Sequence, residues 1–219
     1  AVIPAKNSYP HLPNIVLQEV AGRPLIDHTL NEARRSGAFQ AIVVTTDDPE
    51  VARHAGGFAG VRTLLRPDAL SDPQIHLSQV LFHAVTVMET QWGLHPDILV
   101  VLSVHSPLRR AEQIRKAIDT LILYNTDSVI SVYEDYDLHF MHGQHGLTPL
   151  NPGMMQKLRL EREALYVDNG AIKACWRDAV LEESCLGRTV GHVVMPWEDS
   201  IQIKGPLDAW LVHQLLLRR

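Results

Sequence analysis

A chain of 219 residues is long enough for one sizeable hydrophobic core and short for two, which predicts a single domain over residues 1–219. Its 46% hydrophobic and 21% charged residues are typical of a globular protein and exclude a disordered one. The net charge of −5, without a basic run, predicts no binding to nucleic acid or to an anionic membrane surface.

Short β-branched runs alternate with amphipathic segments of helix length along most of the chain. Strands are predicted at residues 2–3, 41–45, 63–65, 98–102, 128–132, 171–174 and 190–194. Helices are predicted at 25–35, 49–54, 75–90, 111–123, 178–183 and 206–217. This alternation predicts a three-layer, Rossmann-like α/β fold with a mainly parallel sheet, because the strands are apolar enough for burial on both faces.

Residues 134–163 interrupt the alternation. Glycines and prolines are spread through this segment, and it shows no clean period of 2 or 3.6 residues. It is predicted to be an irregular excursion from the sheet. Because loops of this length in a compact domain are usually functional or interfacial, we expect a role in binding or assembly.

The cysteines and apolar runs bear on the cellular location. Cys175 and Cys185 show neither a disulfide framework nor a zinc-ligand spacing, which predicts packing residues in a reducing, cytoplasmic compartment. The longest apolar run, Ile98–Leu102, falls far short of the roughly 20 residues that a membrane span needs. No signal-peptide pattern is seen, and no membrane association is expected.

Ligands of an open parallel sheet bind beyond the carboxyl ends of its strands, so the loops that follow strands are the places to search. The first such loop, residues 4–14, contains Lys6 and turn-forming residues but no glycine. Backbone N–H groups and a lysine ammonium can together bind a triphosphate. The same residues also fit a structured surface loop without a ligand, and both interpretations remain open at this point.

Two other nucleotide-binding classes are less well supported. No Gly-x-Gly-x-x-Gly follows the first strand, which disfavours a plain dinucleotide-binding protein. A glycosyltransferase would need an Asp-x-Asp metal motif after a strand. Only Asp135-Tyr136-Asp137, inside the excursion, has that form.

Several segments resemble, in order and spacing, the cytidylyltransferases that activate sialic-acid-like and 3-deoxy-octulosonate sugars. The opening Ile3-Pro4-Ala5-Lys6 is similar to the family's Ile-Pro-Ala-Arg. Further similar segments are Ala21-Gly22-Arg23-Pro24-Leu25-Ile26, Val44-Thr45-Thr46-Asp47-Asp48, Leu65-Arg66-Pro67, Ser106-Pro107-Leu108-Arg109, Asp127-Ser128-Val129-Ile130-Ser131-Val132, Tyr166-Val167-Asp168-Asn169-Gly170-Ala171-Ile172 and Met195-Pro196-Trp197-Glu198-Asp199-Ser200-Ile201. Together they cover nearly the whole chain and favour a divergent member of the acylneuraminate branch.

The resemblance implies a fold and a reaction. The fold is that of the nucleotide-diphospho-sugar transferases, and the reaction joins CMP from CTP to a nonulosonic-acid-like sugar, giving CMP-sugar and pyrophosphate. CTP and a small acidic sugar are therefore the expected partners. The family's irregular segment supplies a dimer contact, so a homodimer formed through residues 134–163 is expected.

The resemblance also places the nucleotide. Lys6 takes the position of the family's arginine that contacts the CTP phosphates, keeping the charge but losing the bidentate fork. The family's second loop cation would fall near Pro13 or Ile15 and is absent. The expected nucleotide-binding residues are Ala5, Lys6, Asn7, His11, Asn14, Arg66 and Asp72.

The acidic sugar is expected near Ser103, His105, Arg109, Arg159 and Asn169. Ser103 and His105 replace a glutamine and a threonine of the sialic-acid enzymes. His105 is a general base, a metal ligand or a hydrogen-bonded structural histidine. Arg109 binds an anion or is a helix-start charge paired with Glu112. Asn169 is a sugar contact or a left-handed turn residue before Gly170, and Arg159 is otherwise part of an exposed helix face.

The family usually holds Mg²⁺ with two aspartates in Ser-Ile-Asp-Ile-Asp, where this chain has Gln202 and Lys204. Three alternatives remain. Lys204 replaces the metal's charge, which would make Lys6, Lys204 and Arg109 the catalytic set. Asp199 or Asp208 binds Mg²⁺ from another place, although Asp208 also fits a first-turn helix carboxylate. In the third, catalysis has been lost and the protein is a nucleotide-binding homologue with a regulatory or structural role.

Overall fold

A computed structural model describes residues 1–9, 12–72, 74–181 and 184–219. Its main sheet contains β1 (Val2–Ala5), β2 (Ile42–Thr46), β3 (Val61–Leu65), β4 (Ile98–Leu102), β5 (Ser128–Asp135), β6 (Leu165–Trp176) and β7 (Val190–Val194). The strand order is β7-β5-β6-β4-β1-β2-β3. Neighbouring strands are parallel except that β6 runs antiparallel to both β5 and β4.

Five α-helices are described: α1 (Leu25–Ser36), α2 (Pro49–Gly56), α3 (Leu77–Trp92), α4 (Ala111–Tyr124) and α5 (Pro206–Leu217). Local signals set their ends. Asp48 caps α2 by accepting a hydrogen bond from the Glu50 N–H, and Pro49 occupies the first turn. Gly37 and Gly93 end α1 and α3 in the left-handed conformation, with φ of 62° at each.

Alternate residues of the strands pack into two cores on opposite faces of the sheet. On one face, Ile3 and Val100 pack with Leu30 of α1 and Ile114 of α4, and residues of α2 and α5 extend this core. On the other face, Val2, Val43 and Val101 pack against Leu81 and Val85 of α3. The predicted three-layer α/β class with a mainly parallel sheet is thus confirmed.

Two predicted elements differ from the structure. Residues 178–183 do not begin a helix, because Arg177–Ala179 forms only a 3-10 turn and residues 180–181 are not helical. Residues 182–183 lie outside the described residues. The strand predicted at 171–174 is part of the much longer β6, whose pairing with β5 shifts register between Asp168 and Lys173. Such a register shift is the signature of a bulge, which alternation along one strand does not reveal.

The excursion begins as β5 ends and returns at β6. Within it are the hairpin Phe140–Gly143 with Gly146–Pro149, and the 3-10 turns Pro152–Met154 and Arg159–Glu161. Many of its apolar side chains are exposed, and Leu160 is 99% exposed, whereas Met154 is buried.

Both cysteines are free and buried, which confirms them as packing residues. None of the helices in the described part of the chain is long and apolar enough to cross a bilayer.

Candidate active site

The loops that carry the predicted site residues meet at the carboxyl edge of β1, β2, β3 and β4. Residues 6–14 follow β1, and residues 103–109 follow β4. The antiparallel β6 brings its residues 168–170 to the same edge, because Ile172 lies opposite Leu102, the last residue of β4. Residues 201–205 cover this edge, since the Ile203 N–H donates to the His105 carbonyl at 2.8 Å.

Asn7 organises the first loop. It is 5% exposed and its side-chain amide donates to Asp48 Oδ2 at 2.7 Å. Its Oδ1 accepts from the Val16 N–H at 3.2 Å, and its own N–H donates to Asp47 Oδ1 at 2.9 Å. Asn14 is in the left-handed conformation, and its backbone N–H donates to the Asn7 carbonyl. Asn7 and Asn14 therefore shape the loop, and Asp47, which lies in a motif of the resemblance but was not predicted as a site residue, holds the loop in place.

Two cations lie beside this loop. Lys6 Nζ donates to the Ser71 carbonyl at 2.6 Å, which draws the lysine toward the segment after β3. Arg66 begins that segment, is 7% exposed and donates to the Thr45 carbonyl at 3.0 Å. Asp72 is exposed and accepts from the Gln74 N–H, so it shapes a turn. The structure thus brings Lys6 and Arg66 to one side of the sheet edge.

Two other predicted nucleotide contacts are Ala5 and His11. Ala5 is fully buried in β1, where it lies opposite Thr46, so only its backbone could face a nucleotide. His11 lies outside the described residues.

Arg109 is buried rather than exposed to a ligand. It is 1% exposed and donates to the carbonyls of Ser103 at 3.0 Å and Ala171 at 2.8 Å, and to Thr29 Oγ1 at 2.9 Å. Burial lowers the pKa of Arg109 to about 9, against the attraction of Glu32, so the guanidinium is still charged at pH 7. These contacts favour a structural role that ties α1, the loop after β4 and β6 together.

Ser103 and His105 are positioned by their neighbours. Ser103 Oγ accepts from the His105 N–H at 3.2 Å, and the Ser103 carbonyl accepts from Arg109. Burial lowers the pKa of His105, and a hydrogen bond to the Ile203 backbone opposes that effect only in part. The imidazole is therefore neutral at pH 7 and attached to the loop that contains Lys204.

Asn169 is buried in a polar network at the bulge of β6. Its Oδ1 accepts from the Ser131 hydroxyl and from the Ala171 N–H, and its Nδ2 donates to Ser200 Oγ at 2.8 Å. The left-handed residue is Gly170, with φ of 61°, so the alternative of Asn169 as the left-handed turn residue is wrong. The Gln202 amide donates to the Asn169 carbonyl and lies against Gly170, where a Cβ would clash with it.

Arg159 lies in the excursion, in a 3-10 turn rather than a helix. Its side chain is 70% exposed and forms an ion pair with Asp137 at 3.5 Å.

The two carboxylates considered as Mg²⁺ ligands already accept hydrogen bonds from other groups of the protein. Asp199 is 2% exposed and forms ion pairs with Arg110 and Arg219, and Gln113 also donates to it at 2.7 Å. Asp208 accepts from the Lys204 N–H at 2.9 Å, as a first-turn residue of α5. No group of three potential His, Cys, Asp or Glu ligands occurs among the residues that the structure describes. With a neutral amide at Gln202 and a cation at Lys204, this donor set does not fit a protein-bound Mg²⁺.

Comparisons with known proteins agree with this architecture. A family model described as "Cytidylyltransferase" matches residues 1–139. A CMP-N,N'-diacetyllegionaminic acid synthase of Legionella pneumophila is 26% identical, and the match covers 99% of this chain and 95% of that protein. An N-acylneuraminate cytidylyltransferase of Streptococcus agalactiae is 30% identical over 83% of this chain but only 44% of its own length.

The solved structures show the fold. A CMP:2-keto-3-deoxy-manno-octonic acid synthetase complexed with CTP superposes with a TM-score of 0.70 at 17% identity, and covers 99% of this chain and 97% of its own. At that identity the likeness supports the architecture alone.

Proposed function

Because the chain belongs to the cytidylyltransferase family, we propose that it transfers CMP from CTP to an acidic sugar of the nonulosonic type and releases pyrophosphate. The observation that carries the proposal is the position of the charged loops. Lys6 and Arg66 lie at the carboxyl ends of β1 and β3, and the loop with Lys204 is attached to the residues that follow β4. Ligands of such sheets bind at this edge.

In the proposed reaction, a hydroxyl oxygen of the sugar attacks the α-phosphorus of CTP. The new O–P bond forms as the bond to the β-phosphate bridging oxygen breaks, and pyrophosphate leaves with that electron pair. The hydroxyl proton passes to solvent. The protein's contribution is positioning and charge neutralisation, for which Lys6, Arg66 and Lys204 supply the cations.

Lys204 is the residue that we propose in place of a protein-bound metal. Its side chain is exposed, and its backbone is held by Asp208 on one side and by the contact of Ile203 with His105 on the other. A lysine fixed in this way can neutralise developing charge on the phosphates without a hard-oxygen ligand cage. Asn169 and Ser103 shape the neighbouring part of the edge, where we place the sugar.

A second candidate function is a catalytically silent homologue that keeps the fold and nucleotide binding and has a regulatory or structural role. The observation in its favour is that the Gln202 side-chain amide donates to the Asn169 carbonyl, while Asp199 forms ion pairs with Arg110 and Arg219. Neither residue is then available to hold the metal that the resemblance implies.

Pyrophosphate release separates the two functions. Purified protein is incubated with CTP and a panel of nonulosonic and octulosonic acids, with Mg²⁺ or with a chelator, while calorimetry follows CTP binding. We expect pyrophosphate release with at least one nonulosonic acid. We also expect CTP to bind in the presence of the chelator. CTP binding without release on any sugar would establish the silent homologue instead. Absence of CTP binding under both conditions would contradict both functions.

We also propose that the protein is a homodimer formed through the excursion. Leu158 and Leu160 are 72% and 99% exposed, and Leu147 in the hairpin is 65% exposed. Apolar side chains that project in this way from one segment are typical of a surface covered by a partner. Both cysteines are free, which fits the cytoplasmic location that we propose.

Sedimentation velocity tests the dimer. The wild-type protein should sediment as a dimer, and Leu158→Glu combined with Leu160→Glu should sediment as a monomer, because two charges would be buried at the contact. Leu123→Glu is the control, since Leu123 is 78% exposed at the end of α4, outside the excursion. A monomeric wild type, or a double variant that remains dimeric, would contradict the proposal.

A further inference from the structure

A cavity of about 530 Å³ lies outside the candidate active site, between α1, the start of α4, and Leu216 and Arg219 at the end of α5 and beyond it. Of the predicted site residues that the structure describes, only Arg109 contributes to its lining. The described residues of the loop after β1 and of the segment after β3 do not contribute, and neither do residues 201–205.

The lining of this cavity is strongly cationic. It includes the six arginines Arg23, Arg35, Arg109, Arg110, Arg115 and Arg219. The carboxylates of the lining are Glu32 and Glu112. The whole chain has a net charge of −5, so this cluster runs against the overall charge of the protein. Like charges gathered in one concavity repel one another unless an anion joins them.

The neighbouring carboxylates compensate only part of this charge. Glu32 forms an ion pair with Arg35 at 2.6 Å and also accepts from the Ala111 N–H at 2.7 Å. Asp199 is shared between Arg110 and Arg219. In the described part of the chain, neither Arg23 nor Arg115 forms an ion pair with a carboxylate. Positive charge therefore remains in the cavity.

Two further features point to an anionic ligand. Arg109 is 1% exposed, and its Nε is a buried donor that has no acceptor within the described residues. An unused buried N–H is costly, and the charged guanidinium of Arg109 adds positive potential to the cavity that it lines. The amino-terminal end of α4 also lies in the lining, at Ala111 and Glu112, and contributes the positive end of a helix dipole.

The residue type indicates the ligand class. Guanidinium groups form paired hydrogen bonds with phosphate oxygens, and a set of them can neutralise several negative charges at once. We propose that this cavity is a second anion site, which binds a small molecule carrying a diphosphate group.

The test is a calorimetric titration of inorganic pyrophosphate into the full chain. Arg23→Gln combined with Arg35→Gln removes two exposed guanidinium groups from the cavity rim. We expect binding by this double variant to be about tenfold or more weaker than wild type, because charged hydrogen bonds are lost. Wild-type binding should also weaken as salt is raised. The matched control combines Arg34→Gln with Arg53→Gln, two exposed arginines outside the lining.

A further variant separates this site from the proposed CTP site. Lys6→Ala should retain pyrophosphate binding at the cavity, whether or not the proposed reaction occurs. The proposal is overturned if wild type does not bind millimolar pyrophosphate, if the cavity variant binds as wild type does, or if Lys6→Ala abolishes binding. Equal affinity for citrate would overturn the diphosphate class.

Discussion

Replacing Arg109 with alanine should destabilise the protein by about 3 kcal/mol or more. Arg109 is among the largest fully buried side chains and donates three hydrogen bonds, to groups in α1, in β6 and in the loop after β4. Alanine leaves a cavity and removes charged donors from the Ser103 and Ala171 carbonyls. Urea unfolding followed by circular dichroism measures the change.

Two further substitutions at this position separate volume from hydrogen bonding. Arg109→Met keeps much of the volume without the donors, and Arg109→Lys keeps a cation but cannot reproduce the planar fork. We expect both variants to be less stable than wild type, and the methionine variant to lose less unfolding free energy than the alanine variant. Arg53→Ala, at an exposed position of α2, should change stability by less than about 0.5 kcal/mol. An alanine variant within that margin would show that Arg109 does not hold the three elements together.

Lys204→Ala should lower kcat for CMP transfer about 100-fold or more, if Lys204 stabilises developing charge on the phosphates. The effect should fall on kcat more than on KM, because the interaction strengthens as the transition state forms. Steady-state pyrophosphate release with a chelator present measures it. Lys116→Ala, an exposed lysine of α4, is the control for loss of a surface charge.

The reciprocal variant tests the same idea from the other side. Gln202→Asp combined with Lys204→Asp restores the carboxylate pair that the family usually has, and should make release depend on Mg²⁺. If pyrophosphate release requires Mg²⁺ in the wild type and is retained by Lys204→Ala, the proposal that Lys204 takes the place of the metal is contradicted. That result would indicate that the metal is bound by another set of ligands.

The fold and the family could be predicted because their signals are local. Buried strands are apolar runs, and the bounds of Ile98–Leu102 and Pro206–Leu217 agree with those predicted from sequence. The Asp48-Pro49 start of α2 is likewise visible in two adjacent residues. Order and spacing of short motifs then predicted a cytidylyltransferase, and the family match over residues 1–139 confirmed it.

The candidate site could be predicted only in outline. That Lys6 and Ser103 lie along one edge of the sheet follows from parallel strands, since each follows the carboxyl end of a strand. Lys204 reaches that edge through the tertiary contact of Ile203 with His105. The direction of β6 did not follow, because a short apolar strand has the same alternation whichever way it runs. Its antiparallel course is what brings Asn169 and Gly170 to that edge.

Only the tertiary structure decided what the buried polar residues do. Asn7 bonds to Asp48, Asn169 to Ser131 and Arg109 to Thr29, the last two residues being 80 positions apart. A buried polar group must find a partner among whatever groups packing brings near it, and spacing along the chain does not identify them. The arginine cavity arises in the same way, because its charges come from four separated parts of the chain and act together only once those parts have packed.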